Sequence, residues 1–225
     1  MQVSTDRRTA TNQARKEKSR KVLLDAAAQV FARQGYHDTL VSDIVNEAHV
    51  GQGTFYRYFK DKREILETLF DQFVEGLLGE FNEMSAHLPT NQREYRDASV
   101  AALKRVAASV EQNRALALFF IREASGIDRQ FEEKVQSLYN RFARLAQAYL
   151  DYAIGKGFAR PCNAPVVSQA LTGIGVWMAN QWWLGRVSDL TIDQLIEETV
   201  DLAMYGFGVE KASSLKGAGH DEAEG

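Results

Sequence analysis

The 225-residue chain contains one cysteine, Cys162, and three prolines, Pro89, Pro161 and Pro165. A single thiol excludes a disulfide framework and a Cys-based zinc site, and it fits a reducing compartment. Residues 90–160 hold no proline and few β-branched clusters, which favours helices. No apolar run reaches the roughly 18 residues of a membrane helix. Met1 to Lys21 is polar and basic, without the apolar centre of a signal peptide. Phosphate-cradling loops, nucleophile elbows and metal-ligand spacings are missing too. The histidines His37, His49, His87 and His220 are scattered, none beside a paired carboxylate. These absences predict a cytoplasmic helical protein that is not an enzyme and needs no cofactor.

Apolar residues make up 45% and charged residues 25%, the balance of a globular protein rather than a disordered or fibrous one. The net charge of −3 hides an asymmetry. Residues 1–63 hold 12 Lys/Arg against 7 Asp/Glu, and the acidic excess lies beyond them. A basic first quarter suits contact with a polyanion, or else is a basic tail without a partner.

Residues 1–18 lack apolar periodicity and read as a disordered basic arm carrying Arg7, Arg8, Arg15, Lys16 and Lys18. From Ser19, the positions Val22, Leu23, Ala26, Ala27, Val30 and Phe31 form one helical face, which Gly35 terminates. Thr39 is the expected cap of a short second helix with Val41, Ile44, Val45 and Ala48 inside. A break at His49-Val50-Gly51 precedes a third helix bearing Phe55 and Phe59. Asp61 caps a long amphipathic fourth. Helices are predicted at 92–112, 114–124, 128–155, 164–185 and 191–207, with Asp128, Asn163 and Thr191 as N-caps and Thr191/Gln194 as a capping box. The tail, 211–225, is small and charged and reads as disordered.

Two short helices joined by a three-residue turn and preceded by a longer helix make a helix-turn-helix. With Phe55 at the centre of the inner face, Tyr58 and Phe59 fall beside it. Gly53, Thr54, Tyr56 and Arg57 fill the opposite arc. Hydroxyls, a guanidinium and a bare backbone suit a groove floor and its phosphates, although an ordinary polar surface would look the same on the wheel.

The run Gly35-Tyr36, Thr39, Val41, Asp43-Ile44, Ala48, Val50 and Gly53-Thr54-Phe55-Tyr56-Arg57-Tyr58-Phe59, then Lys62, Glu64 and Leu66, resembles the tetracycline-repressor (TetR) family over residues 18–68. The resemblance implies an all-α homodimer of about nine helices. Residues 19–63 would form a three-helix helix-turn-helix DNA-binding domain. A larger helical domain, 64–210, would bind ligand and dimerise through its last two helices. By that likeness Thr39 and Lys62 would hold phosphates, and Gln52, Thr54 and Arg57 would face base edges of an operator. Gly53 would allow close approach, while Tyr56 and Tyr58 would touch phosphates or thymine methyls. Arg57 is the expected main reader, since Arg to guanine is the commonest specific contact. Three positions depart from the pattern. His49 replaces a turn glycine that needs positive φ, Gly51 replaces a serine-like cap, and Ser42 replaces a residue that is often basic.

In the second part of the chain, 114–124 is apolar nearly all round and is expected to be buried, and 171–184 is similar. Phe119, Phe120, Glu123, Tyr139, Phe142, Trp177 and Asn180 have the composition of a ligand pocket, apolar with a few polar groups. Glu123 and Asn180 need partners, either within the protein or on a ligand. The function read from the sequence is a repressor released from a palindromic operator by a hydrophobic small molecule, with an effector-independent DNA-binding regulator as the alternative.

Overall fold

A computed structural model describes residues 3–81, 87–187 and 189–206, and side chains from residue 13 on. Nine α-helices and no strand occur among the described residues. In chain order they are α1 (Val3–Gln34), α2 (Val41–Glu47), α3 (Gln52–Tyr58), α4 (Lys62–Gly79), α5 (Gln92–Gln112), α6 (Arg114–Glu123), α7 (Arg129–Lys156), α8 (Ala164–Trp183) and α9 (Ile192–Tyr205). A short turn of 3-10 helix, Ala124–Gly126, joins α6 to α7. The all-α expectation holds, and the tail at 211–225 lies outside the described residues.

Local side-chain chemistry sets most helix limits. Asp61, Asn91, Asp128, Asn163 and Thr191 each accept from the backbone N–H three residues on, at 2.8, 2.9, 2.9, 3.2 and 3.2 Å. Each such cap contributes about 1 kcal/mol. The Thr191/Gln194 box is complete, with the Gln194 carboxamide accepting from Thr191 N at 2.8 Å. Gly35 ends α1 at φ +81°, a left-handed conformation that a Cβ would strain.

Two boundaries differ from the sequence reading. The N-cap of α2 is Leu40, whose N–H donates to the Asp43 carboxylate at 2.8 Å. Thr39 is instead fully buried, and its hydroxyl donates to Gly35 O at 2.6 Å. The expected disordered arm is helical from Val3, so α1 runs for 32 residues. Its residues include neither glycine nor proline, and Gln13-Ala14-Arg15-Lys16-Glu17-Lys18 are all strong helix formers. The helix therefore propagates outward from the turns anchored by Leu23, Ala27, Val30 and Phe31.

One hydrophobic cluster runs from those α1 residues through Ile44 of α2, Phe55 of α3 and Phe59 at the end of α3. It continues into Ile65, Leu66 and Phe70 of α4, Phe119 and Phe120 of α6, and Phe131 of α7. Rings bridge the elements: Phe31 stacks on Phe119 at 5.7 Å, and Phe70 meets Phe120 and Phe131 at 5.2 and 5.0 Å. The N-terminal head and the body thus share apolar packing. A second cluster, including Leu77, Val100, Ala117, Trp183 and Val200, joins α4, α5, α6, α8 and α9.

Helix α8 corrects the expectation of burial through 171–184. Of its residues only Ala164, Ser168 and Trp183 are buried, and Val166 and Trp177 are each 62% exposed. One side of α8 packs against α7 and α9. The other is apolar and has no partner among the described residues.

Candidate nucleic-acid interface

Seven residues are too few for α3 to be stable by propensity. Burial of Phe55, at 0% exposure, and Phe59 at the C-cap, at 2%, fixes it against α1 and α2. Polar ties brace the same unit from outside. Arg33 pairs with Glu47 at 3.1 Å, and Gln34 donates to the Asp43 carboxylate at 3.1 Å. Gly53, Tyr56 and Arg57 are exposed on the outward arc and Gln52 is exposed at the first residue of the helix, while Thr54, Tyr58 and Ser42 are half-buried. Tyr58 packs against the core cluster, as its place beside Phe55 on the wheel requires. A Cβ built at Gly53 would meet nothing within 4 Å, so the surface there is open.

The turn carries the conformation that the family pattern demands. His49 has φ +53°, and it is the one non-glycine with positive φ among the described residues. Gly51 is the N-cap of α3 and supplies no side-chain acceptor. His49→Gly is expected to stabilise the protein by about 0.5–1 kcal/mol, because the left-handed strain of a β-carbon is relieved. A urea midpoint that stays put or falls would mean that the imidazole makes contacts that offset the strain.

Lys62 differs from its expected phosphate role. Its ammonium donates to the carbonyls of Tyr36, His37 and Thr39 at 2.8, 3.1 and 2.7 Å, and lies 4.6 Å from the centroid of the Tyr36 ring. All three donors are spent on the loop between α1 and α2. Thr39 cannot reach a phosphate with its hydroxyl either, since the residue is fully buried.

Glu123 holds that loop from the body. Its carboxylate accepts from Tyr36 N at 3.1 Å and lies against Gly35, where a Cβ would approach Oε2 to 2.9 Å. Glu123 is therefore satisfied within the protein and leaves the predicted ligand set. Next to it, Arg63 forks onto Asp128 and pairs with Glu67 at 2.7 Å. The Arg63 guanidinium, together with Phe131 N–H, holds the Asp128 carboxyl below its usual range. This latch escaped the sequence reading. Its only local signal was Asp128 as a cap, and the other partners meet through packing.

The remaining predicted ligand residues divide between the core and a groove. Phe119 and Phe120 belong to the buried aromatic core, and Phe142 packs beside Phe81 with ring centroids 5.9 Å apart. Tyr139, Trp177 and Asn180 do meet, lining a groove of about 320 Å³ between α7 and α8. Among the described residues no helix is long and apolar enough to cross a membrane, and no group of His, Cys, Asp or Glu could hold a metal.

Comparison with known proteins agrees with this geometry. Residues 23–69 match the model of bacterial regulatory proteins of the tetR family. The chain is 46% identical over 190 residues to the HTH-type transcriptional regulator YdgC of Bacillus subtilis, spanning 84% of this chain and 92% of that protein. It is 43% identical over 65 residues to the B. subtilis fatty acid metabolism regulator protein, spanning 27% of this chain and 34% of that one. Its fold is similar to that of the transcriptional regulator FadR from B. subtilis in complex with stearoyl-CoA. There the TM-score is 0.69 at 19% identity, covering 84% of this chain and 99% of the other. A second structure, the fatty acid degradation regulator FadR from Bacillus halodurans, gives 0.68 at 21% identity, covering 84% and 96%. With a head built to present α3 and a relative of this identity along most of its length, the chain belongs to the tetR family of bacterial helix-turn-helix transcriptional regulators.

Proposed function

We propose that the protein is a dimeric repressor that grips a palindromic operator through α3 and is released by a hydrophobic small molecule. The observation that carries this reading is the exposed arc of Gly53, Tyr56 and Arg57, with exposed Gln52 at the start of the same helix, held by fully buried Phe55. In this reading Gln52, Thr54 and Arg57 read base edges. Gly53 permits close approach, and Tyr56, Tyr58 and Ser42 touch the backbone or a thymine methyl. The exposed apolar side of α8 supports a dimer through α8 and α9. It lies in a stretch, 164–185, without a charged residue, so two copies can meet there without like-charge repulsion. The likeness to a regulator in complex with stearoyl-CoA, whose acyl chain is a long apolar body, supports an effector with a hydrophobic part.

Selection from a random duplex pool tests the reading. The expected product is a two-fold symmetric sequence with half-sites about one helical turn apart, or a multiple of it. Compounds extracted from the purified protein and identified by mass spectrometry should then release the selected duplex. An asymmetric product would overturn the dimeric mode, and a pool without enrichment would overturn operator binding.

The helical arm adds a further expectation. Arg20 lies 5.2 Å from the Phe59 ring, so the arm leaves the head beside the end of α3. Arg15, Lys16 and Lys18 are exposed along it. Deleting residues 1–18 should flatten the salt dependence of DNA binding, by about 0.9 in slope for each phosphate that the arm neutralises. An unchanged slope would mean that the arm stays clear of the duplex.

A further inference from the structure

We infer that the groove between α7 and α8 is an effector site completed by a second copy of the chain, and that its ligand is an uncharged molecule with hydrogen-bonding groups on an aromatic or alkyl body. The inference rests on the α8–α9 dimer proposed above.

The lining determines the ligand class. The groove is walled by Gln136, Tyr139 and Asn140 of α7 and by Gln169, Trp177 and Asn180 of α8, with small or apolar residues between them. Among the described residues no Lys, Arg, His, Asp or Glu contributes to it. Four carboxamides and a phenol supply the free polarity, since the Thr172 hydroxyl donates to Ser168 O at 2.9 Å, and none of these five side chains is hydrogen-bonded to another described residue. A phenol is a donor at neutral pH, and burial pushes that of Tyr139 further up. Carboxamides both donate and accept, and they satisfy neutral amides, alcohols or carbonyls. They offer no counter-charge to an ion that has lost its water, so a carboxylate or phosphate would enter at a large cost. The Trp177 ring supplies an apolar wall against which a flat or alkyl body can lie.

The open side of the groove points to the second copy. The exposed stripe of α8 contains Val166, Ala170, Gly173, Ile174 and Trp177, which fall within one arc of the helix. Gly173 and Trp177 belong both to this stripe and to the groove wall. A Cβ built at Gly173 would meet nothing within 4 Å, so the wall is low at that point. A copy that covers the stripe lies across the mouth of the groove and turns an open trough into an enclosed chamber. Two-fold symmetry gives two such chambers bordering one contact surface. A ligand there touches both copies, so its binding energy depends on how they are set against each other, and with them the spacing of the two α3 helices.

The test uses the full-length protein and a matched pair of probes, biphenyl-4-carboxamide and biphenyl-4-carboxylate, which share a shape and differ in charge. Titration calorimetry should give saturable binding of the amide at one per chain and at least tenfold weaker binding of the carboxylate. Asn180→Asp, which puts a charge in the wall at constant size, should weaken the amide at least tenfold. Ile174→Asp and Val166→Asp lie on the stripe and outside the groove lining. Each should sediment as a monomer, stay helical by circular dichroism and no longer bind the amide. Absent amide binding, equal binding of the two probes, or an Asn180→Asp protein that binds as well as the parent would each overturn the neutral-ligand assignment. Stripe variants that are monomeric yet bind the amide as the parent does would overturn the shared site. Stripe variants that remain dimeric would instead refute the α8–α9 interface, a failure that sedimentation alone identifies.

Discussion

Replacing Arg57 by alanine is expected to weaken binding to the selected operator by roughly 1–3 kcal/mol per half-site. On a symmetric site bound by two copies the loss is taken twice, so affinity should fall by a factor of about 30 to more than 10⁴. The size follows from position. Arg57 is exposed on the side of α3 away from Phe55, where a planar guanidinium can make two parallel bonds to the edge of a guanine. The same change should cost much less on scrambled duplex, where no guanine is in register. It should leave the unfolding free energy within about 0.5 kcal/mol of the parent, since an exposed side chain that makes no core contact is removed. Binding of the variant to both duplexes over a salt series provides the check. Equal losses on both would remove Arg57 as the base reader and turn attention to Gln52 and Thr54.

Lys62→Met is expected to cost about 2–4 kcal/mol of folding stability and to weaken operator and scrambled duplex together. The substitution keeps the apolar stem beside Tyr36 and removes only the ammonium. That ammonium donates to Tyr36 O, His37 O and Thr39 O, all in the loop linking α1 to α2. A hydrogen bond to a charged group is worth about 1.5–3 kcal/mol, and carbonyls left behind in a partly buried site are not fully repaid by water. The loop positions α2, and α2 in turn positions α3. Denaturation should therefore lose ground first, and DNA binding should follow through disorder of the head. Stability equal to the parent, with a salt slope smaller by about one per subunit, would mean that the ammonium leaves the loop for a phosphate on DNA.

What the sequence disclosed is what acts within a turn or two of chain. Asp61, Asp128 and Thr191 bind N–H groups three residues away, and Gly35 needs only its own φ, so composition and spacing revealed them. Phe55 and Phe59 are four apart on one face, and their burial followed from the same period. Thr39 misled because it is a good cap beside a poor one. The deciding residue is Asp43, which reaches back to Leu40. Lys62 meets Tyr36 across 26 residues of sequence, and Glu123 meets the same residue across 87. No periodicity encodes such meetings, which depend on how α4 and α6 pack on α1. Helix α8 was hidden for another reason. Apolar composition tells that a surface avoids water, but not whether its own chain or another copy covers it. The groove beside it was legible only in part, since Tyr139, Trp177 and Asn180 were found and the carboxamides opposite were not.

The lack of charge along α8 also separates two responses that are usually entangled. Phosphate contacts release counterions and weaken steeply with ionic strength, whereas apolar contact is indifferent to it or strengthened. If two copies pair along Val166, Ile174 and Trp177 as proposed, concentrated salt should release the DNA and leave the pair intact. Temperature acts the other way, because apolar association weakens on cooling while ionic contacts to phosphate do not share that dependence. Chilling at low salt should then weaken such a pair while the phosphate contacts persist, so that each subunit would hold its half-site with less help from the other.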